Sequence, residues 1–433
     1  MPGASTFAKL TLSVVITGFA APAVAQNAAD LQAQIDALSQ RLEQLAQENQ
    51  DLRQRVEETE AKVPDEAKVP DKAPLTIVDS GNDKVKLTLS GHVNQAVMFA
   101  GDGERTHVNI VDNDASSSRF RIAGAAQPLG QLAIETLWEA DFRVNPSSAV
   151  TNDGDIANPN GAFRTRKIEA TFAGPAWGKI SLGKGSVASD SIAEIDLSGT
   201  DFTGIYSSIS DMAGGYEFVN EATGDLSGIS VGDASGNLDG FGRAPRIRYD
   251  TPAVYGFTAS TSYAQESRYD AALRYANAFD VLGGVKVAGG VAYFAQPRAK
   301  AADPNSRKDT RGVSGSMSAL HASGFNITAA GGTQDDKLRS GAGPYYFYVK
   351  PGYRTTEWLS FGETAFSVDY GRFHNFDNGT EDGRLNTVGM GAVQHIDAAA
   401  TELYVAGRWH GYEQDDEDFK DVFVVLSGAR VKF

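Results

Sequence analysis

The sequence has no cysteine among its 433 residues, which excludes disulfide bonds and thiolate chemistry. Beyond the amino terminus it also lacks any run of about 18 apolar residues, so a bundle of membrane-spanning helices is excluded. Its six histidines are dispersed, form neither HxH nor HExxH, and accompany no phosphate loop or nucleophile motif. We therefore expect no metal, no cofactor and no enzymatic activity.

Basic residues are outnumbered as well. There are 39 Lys and Arg against 55 Asp and Glu, a formal net charge of −16, which argues against nucleic acid as a partner. What the chain does contain is glycine and aromatic residues, with 46 Gly, 22 Phe and 15 Tyr. This composition leaves two classes open, a soluble β protein and a β-barrel whose strands cross a membrane.

Residues 1–25 are predicted to be a signal peptide. Lys9 is their only charged side chain, and an apolar stretch follows as far as Ala21. Ala23 and Ala25 supply the small residues of a cleavage site, so we expect cleavage before Gln26. An uncleaved anchor is the alternative.

Residues 26–60 are predicted to form a periplasmic coiled coil, because apolar residues alternate at spacings of four and three from residue 30 to 59. Its core positions, which we expect to mediate self-association, include Ile35, Leu38, Leu42, Leu45, Asn49 and Leu52. A single helix with so narrow an apolar stripe would be poorly stable in water. Asn49 at an a position, with Ile at a and Leu at d, favours two strands, so a dimeric and a trimeric stalk both stay open.

Residues 61–83 are predicted to be an extended linker. They carry Pro64, Pro70 and Pro74, which cannot continue the helix. The linker would hold the coiled coil away from the membrane, and contact of this stalk with the cell wall is left open.

The last residues of the chain alternate strictly. Phe423, Val425 and Phe433 share one parity, and Arg430 and Lys432 share the other. An alternating final strand that ends on an aromatic residue resembles the ending of outer-membrane β-barrels. From residue 84 onward similar alternation recurs in sixteen segments of about 9 to 17 residues, the length that a tilted membrane strand needs. We therefore predict a 16-stranded antiparallel transmembrane β-barrel over residues 84–433, preceded by the α-helical coiled coil.

One connection, residues 186–243, is far longer than an ordinary loop, and long connections are commonly functional. Its first half carries Asp190, Glu194, Asp196 and Asp201, which we select as its acidic residues. An additional hairpin within 215–232 would give eighteen strands instead of sixteen.

Pairs of arginines share a parity on three predicted strands. They are Arg119 and Arg121, Arg164 and Arg166, and Arg246 and Arg248. On one portion of the wall they would form a basic ladder that lines the pore and faces the acidic loop, giving a transverse field that favours polar and ionic solutes. The alternative is that they are structural and pair within the wall with carboxylates. Those carboxylates would be Glu135, Glu139, Asp141 and Glu169.

The stretches SRFRIAGAAQPLGQLAIETLWEADFRV (118–144), NGAFRTRKIEATFAGPAWGKISLGK (160–184) and APRIRYDTP (244–252) resemble the general outer-membrane porin family, most closely its DcaP-like branch. The resemblance implies a homotrimer of 16-stranded barrels with an amino-terminal coiled coil, and a third outer loop that folds inward to narrow the channel. It also implies passive uptake of small polar solutes, with anions or dicarboxylates preferred. The acidity and length of the loop depart from that pattern.

The expected function is therefore that of an outer-membrane porin, with membrane lipid, copies of itself and small polar or anionic solutes as its partners. The barrel would lie in the bacterial outer membrane and the stalk in the periplasm. Two alternatives belong to other classes. A structural tether between outer membrane and cell wall would depend on residues 26–75, and an outer-membrane hydrolase would need Ser and His at the outer ends of neighbouring strands.

Overall fold

The computed structural model describes residues 84–156, 163–297, 309–336, 342–377, 382–415 and 417–433. The strands in these ranges are β1 (Lys86–Gly101), β2 (Thr106–Asp112), β3 (Ser118–Leu129), β4 (Leu132–Phe142), β5 (Phe163–Gly174), β6 (Gly178–Ser186), β7 (Glu217–Asn220), β8 (Leu226–Ser230), β9 (Arg243–Asp250), β10 (Phe257–Ala264), β11 (Arg268–Phe279), β12 (Val285–Gln296), β13 (Thr310–His321), β14 (Phe325–Asp336), β15 (Tyr345–Thr355), β16 (Thr364–His374), β17 (Arg384–Ile396), β18 (Thr401–Gln414), β19 (Glu417–Lys420) and β20 (Val422–Lys432). Single turns of 3-10 helix lie at Asp114–Ser116, Ser147–Ala149, Asp201–Thr203, Ile209–Asp211, Gln265–Ser267, Val281–Gly283 and Asp397–Ala399. No helix in this part of the chain is both long and apolar enough to cross a membrane.

Sixteen of the described strands form a closed antiparallel wall. The order around the wall is β1, β3, β4, β5, β6, then β9 through β18, and finally β20. β20 pairs back onto β1, from Phe423 opposite Gly101 to Lys432 opposite His92. β2 pairs with the outer half of β1, where β3 has ended. Closure leaves no free edge in the wall, so backbone donors and acceptors are satisfied between neighbouring strands.

The two faces of the wall follow the two-residue period of a pleated strand. In β1, Val93, Val97 and Phe99 are exposed on the outside, while Met98 and Ala100 are buried towards the interior. The same alternation repeats around the barrel and produces a continuous apolar outer surface. This is the surface that a wall in contact with hydrocarbon requires.

The last strand departs from the predicted pattern on its inner face. Phe423 and Val425 are exposed outside, as their parity predicts. On the parity of Arg430, however, Val424 and Leu426 are fully buried. The inner face of β20 is therefore apolar in the first half of the strand. A loop packs against it there.

Short turns lie at one rim of the barrel, and the long connections lie at the opposite rim. On the short-turn rim, two residues join β3 to β4 and three join β13 to β14. Gly324 in the second of these turns has φ +94°, and a Cβ there would lie 1.9 Å from the carbonyl oxygen of Arg354. The opposite, long-loop rim carries residues 187–242, although it also holds the three-residue connection Gln265–Ser267.

The prediction of a 16-stranded barrel is confirmed. A hairpin does form near the predicted extra pair, as β7 and β8, but it is not part of the wall. β7 pairs instead with β19, in a small separate sheet beyond the long-loop rim. The predicted signal peptide (1–25), coiled coil (26–60) and linker (61–83) lie outside the described residues and stay predictions.

Closure of the wall can be tested by cross-linking β1 to β20. Val97 lies opposite Ser427, and Cα atoms of such partners are about 4.5–5.5 Å apart, within the range a disulfide spans. Because the chain contains no cysteine, we expect Val97→Cys with Ser427→Cys to form one disulfide on oxidation, measured by mass and by electrophoretic mobility. The control pair, Val97→Cys with Val431→Cys, is displaced along the strand by about 13 Å and should not cross-link. Equal cross-linking of both pairs would contradict the register.

Candidate functional site

Apart from the β7–β8 hairpin beyond the long-loop rim, the connection between β6 and β9, residues 187–242, lies inside the barrel. Its side chains Phe202, Ile205 and Met212 belong to one buried apolar cluster together with inward-facing residues of the wall. The wall residues of this cluster include Met98, Tyr346, Tyr348, Phe373, Leu385, Val424 and Leu426. Burying a large apolar side chain contributes about 1.5–3 kcal/mol. The loop is therefore held against β1 and β14–β20, and this side of the lumen is filled.

Hydrogen bonds anchor the loop along its course. Near its start, the Ser189 hydroxyl donates to an Asp270 oxygen at 2.6 Å. Further on, the Ser316 hydroxyl donates to the carbonyl oxygen of Ile192 at 2.6 Å. Other anchors join Leu197 to Ser318 and Thr200 to Ser367. The loop thus crosses the inner faces of β11, β13 and β16 before it reaches the apolar cluster.

A buried lysine of the wall holds the middle of the loop. Lys350 on β15 has no exposed side-chain surface and forms an ion pair with Asp196 of the loop. Its Nζ also donates to the carbonyl oxygen of Ile205 at 2.7 Å and to the Thr200 hydroxyl at 3.3 Å. All three partners belong to the loop, so the position of this cation depends on the loop being docked.

A buried arginine of the wall holds Gly204, the loop residue that precedes Ile205. Arg408 on β18 pairs with Asp369 at 2.7 Å, and both side chains are fully buried. The same guanidinium donates to the carbonyl oxygen of Gly204 at 3.0 Å. Gly204 has φ +99°, and a Cβ there would lie 2.5 Å from Cγ of Met212. The turn at this glycine brings two consecutive loop carbonyls, those of residues 204 and 205, to two wall cations.

The opposite wall, formed by β3–β6 and β9, carries the six arginines that the sequence suggested. Arg166 contacts Glu139 at 2.6 Å and Asp141 at 3.3 Å, and Arg164 contacts Asp141 at 2.7 Å. The remaining carboxylate pairs are Arg121 with Glu139, Arg246 with Glu169, and Arg248 with Asp250. Most of these arginines thus belong to networks within the wall, as the structural alternative expected, although Glu135 forms no ion pair among the described residues.

Arg119 differs from the other five. Its Nε donates to the carbonyl oxygen of Ser117 at 2.9 Å. No carboxylate of the described residues lies within ion-pair distance of its guanidinium, which lines the same interior cavity as Arg121. Its charge is therefore the least compensated among the predicted arginines.

Two of the four predicted loop acids face this wall. Asp190 and Glu194 line a cavity of about 550 Å³ together with the basic wall residues. Asp196 instead points to Lys350 on the other side of the barrel, and Asp201 is exposed but does not line this cavity. The loop adds two acids that the sequence did not single out, Asp211 and Asp239.

The cavity has opposite charges on its two sides. Its wall side carries Arg119, Arg121, Arg143, Arg164, Arg166 and Lys167, and Arg243 stands where the loop enters β9. Two carboxylates also line this side, Asp114, which pairs with Arg143, and Glu139, which pairs with Arg121 and Arg166. Its loop side carries Asp190, Glu194, Asp211 and Asp239. Opposed charges across a narrow aqueous gap produce a transverse field that acts on polar and ionic solutes.

The loop carboxylates also influence one another. Burial raises the pKa of Glu194 to about 7, against the hydrogen bond from Asn237, which lowers it. The nearby Asp211 and Asp190 raise the same pKa, and Arg243 lowers it. Burial, with Glu194 close by, also holds the pKa of Asp239 well above its ordinary value. The acidic side of the gap is therefore only partly charged near neutral pH.

The described ranges contain no group of three or more His, Asp or Glu side chains that could hold a metal ion. The charged groups of the cavity are guanidinium, ammonium and carboxylate groups, and serine and tyrosine residues also line it. These groups act on solutes through charge and hydrogen bonds.

Two signals in the sequence could have located more of this site. If Arg164 and Arg166 face the lumen, strict alternation would place Glu169 on the outside, in lipid. The strand period therefore had to be interrupted by one residue before Glu169. Apolar residues on the inward parity, such as Tyr348 and Phe373, mark the part of the wall against which the loop packs. Asp211 and Asp239 have no comparable signal, because their positions depend on the loop's irregular path.

Residues 11–416 match the family described as Gram-negative porin. Among solved structures, the anion-selective porin from Comamonas acidovorans superposes with a TM-score of 0.52 at 14% identity, over 81% of this chain and 100% of that chain. The outer membrane channel DcaP of Acinetobacter baumannii gives 0.54 at 12% identity, over 81% and 98%. OmpT of Vibrio cholerae, described in one structure as a trimer form, gives 0.51 at 13% identity, over 81% and 100%. No curated protein matches the chain.

Removing the Lys350 charge should release the loop. Lys350→Met leaves Asp196 buried without its partner, which typically costs about 3–5 kcal/mol. We expect faster hydrogen exchange at the amides of residues 192–212 and a lower free energy of unfolding. Arg105→Gln is the control, because the Arg105–Asp153 pair at 3.2 Å is exposed on both sides and such pairs contribute about 0–1 kcal/mol. Unchanged exchange in the Lys350 variant would show that this ion pair does not anchor the loop.

Proposed function

This chain belongs to the Gram-negative porin family, and from that premise we propose that the gap between its acidic loop and its basic wall is the constriction of the channel. The family makes it an outer-membrane channel through which small hydrophilic solutes diffuse passively. One observation carries the proposal. Residues 187–242 fill the lumen along β1 and β14–β20, so the remaining path runs beside β3–β6 and β9.

We propose that the channel prefers anions, including dicarboxylates. The basic side of the constriction includes Arg119 and Lys167, which have no carboxylate partner among the described residues. On the acidic side, the raised pKa values of Glu194 and Asp239 reduce the negative charge near neutral pH. The balance between the two sides therefore favours negative solutes over positive ones. The anion-selective porin from Comamonas acidovorans shares this fold, which is consistent with the proposal.

Self-association as a homotrimer is proposed in the same way. One of the similar structures is described as a trimer form, and the predicted coiled coil would add a second association site in the periplasm. The signal peptide, the periplasmic stalk and the absence of enzymatic activity are likewise proposals. Nothing in the described residues favours the tether or the hydrolase.

The two sides of the constriction should influence selectivity with opposite sign. Arg119→Ala removes an uncompensated cation, so we expect the anion-to-cation permeability ratio to fall by roughly two- to five-fold. Glu194→Gln removes a loop charge and should raise the ratio. Reversal potentials of purified protein in planar bilayers under a salt gradient measure both effects. A shift of the same sign in the two variants would contradict the transverse arrangement, and absence of any conductance in the unmodified protein would contradict the channel itself.

Selectivity should also depend on pH. Because the pKa of Glu194 is raised to about 7, this carboxyl group is mostly neutral at about pH 6 and mostly charged at about pH 8. We therefore expect anion preference to fall as the pH rises through about 7, measured by reversal potential at each pH. Glu194→Gln should flatten that dependence, whereas Asp153→Asn, an exposed carboxylate outside this cavity, should leave it intact. A dependence that survives unchanged in Glu194→Gln would assign the titration to another group.

A further inference from the structure

The pairing of β5 with β4 is interrupted at one residue. Thr165 lies opposite Ala140 and Lys167 lies opposite Glu139, so Arg166 is an extra residue on β5. Phe163 is exposed on the outside before this point, and Ile168 is exposed on the outside after it. The outward parity therefore changes across a β-bulge.

The bulge brings two consecutive basic residues to the interior. Arg166 bonds to Glu139 and Asp141. Without the extra residue, Lys167 would point to the lipid side, where a lysine at the bilayer midplane costs about 2–4 kcal/mol. With it, Lys167 faces the lumen directly beside Arg166.

Lys167 has no partner. Its ammonium group forms no hydrogen bond and no ion pair with any of the residues that the structure describes, although its three donors normally find acceptors. Lys179, by contrast, lies 3.7 Å from Asp250. The Lys167 charge is therefore free to interact with an ion in the lumen.

Lys167 also stands between two cavities. It lines the constriction cavity of about 550 Å³. It equally lines a second cavity of about 520 Å³, which extends towards the short-turn rim and is also lined by Lys179, Arg246 and Arg248. The second cavity is also lined by Glu135 and Glu169, so its four cations outnumber two carboxylates. Lys167 is one of the two residues that the cavities share, Ser186 being the other.

We propose that the channel contains two successive stations for small carboxylate or phosphate-like anions, and that Lys167 is the shared contact through which an anion moves from one to the other. This inference rests on the proposed function and adds a second site and a specificity-determining residue to it. An unpaired cation between two weak sites attracts an anion and still lets it leave, because no carboxylate fixes the ammonium group in one position. Conduction requires that combination of favourable entry and easy exit.

The cysteine-free sequence allows this residue to be tested in the intact channel. Lys167→Cys removes the cation, and we expect at least a two-fold lower anion-to-cation permeability ratio in planar bilayers, with weaker current block by sodium succinate. Aminoethyl methanethiosulfonate, which restores a positive charge at that sulfur, should restore both properties. The sulfonatoethyl reagent should lower the ratio further. Because Lys167 lines both cavities, the reagents should react from either side of the membrane.

The matched control is Lys184→Cys. Lys184 lies opposite Ile168 on the outward parity of β6, so its replacement and modification should leave selectivity unchanged. Lys167→Gln serves as a second neutral variant and should match unmodified Lys167→Cys, while Lys167→Arg should retain the original ratio. A conducting channel whose ratio and succinate block are the same in all these forms would overturn the role of Lys167 and leave the channel function intact. Reaction of the Lys167→Cys variant from one side of the membrane alone would overturn the two-station arrangement.

Discussion

The structure depends first on the need to satisfy every backbone donor and acceptor of a wall surrounded by hydrocarbon, where an unpaired group costs several kcal/mol. The pairing of β20 with β1 meets that need by removing the last free edge. Once the wall is closed, the strand period fixes what each residue faces, so apolar residues such as Val97 and Phe99 face outwards. Charged residues at the depth of the hydrocarbon must face the lumen, whereas Lys184 can face outwards because it lies near the long-loop end of β6. A channel lined with charge is a direct consequence.

Inside this wall, the lumen is divided by the way the loop is held. Apolar residues such as Phe202 and Met212 exclude water from one side, and Lys350 and Arg408 satisfy the loop carbonyls that this burial would otherwise leave unpaired. Each buried cation is balanced by a carboxylate, Asp196 or Asp369, so its burial is tolerated. The solute path is therefore confined to the part of the wall that carries most of the arginines. Selectivity and loop docking are two results of the same packing.

Those features of the structure whose signal lies within a short segment of the chain could be predicted from the sequence. Features that depend on contacts between distant segments could not. The sixteen wall strands follow from a two-residue period that is visible in segments such as 421–433, and so do their inward and outward faces, except where a bulge interrupts the period. The inward position of Lys167 was not predicted, because the bulge at Arg166 reverses the parity within a single strand. Asp196 was predicted as an acid of the constriction, yet it pairs with Lys350, a residue far away in the sequence. A strand produces a two-residue period in the sequence, whereas the contacts between an irregular loop and distant strands produce no period.

The small sheet beyond the long-loop rim links two outer segments that are far apart in the chain. Asn220 and Val219 of β7 pair with Phe419 and Lys420 of β19, and Phe218 stacks on Tyr412 beneath them. The second half of the constricting loop is thereby attached to the last outer connection of the barrel. Insertions or deletions in either segment would have to be matched in the other, so these two stretches of surface are expected to diversify together during evolution rather than independently.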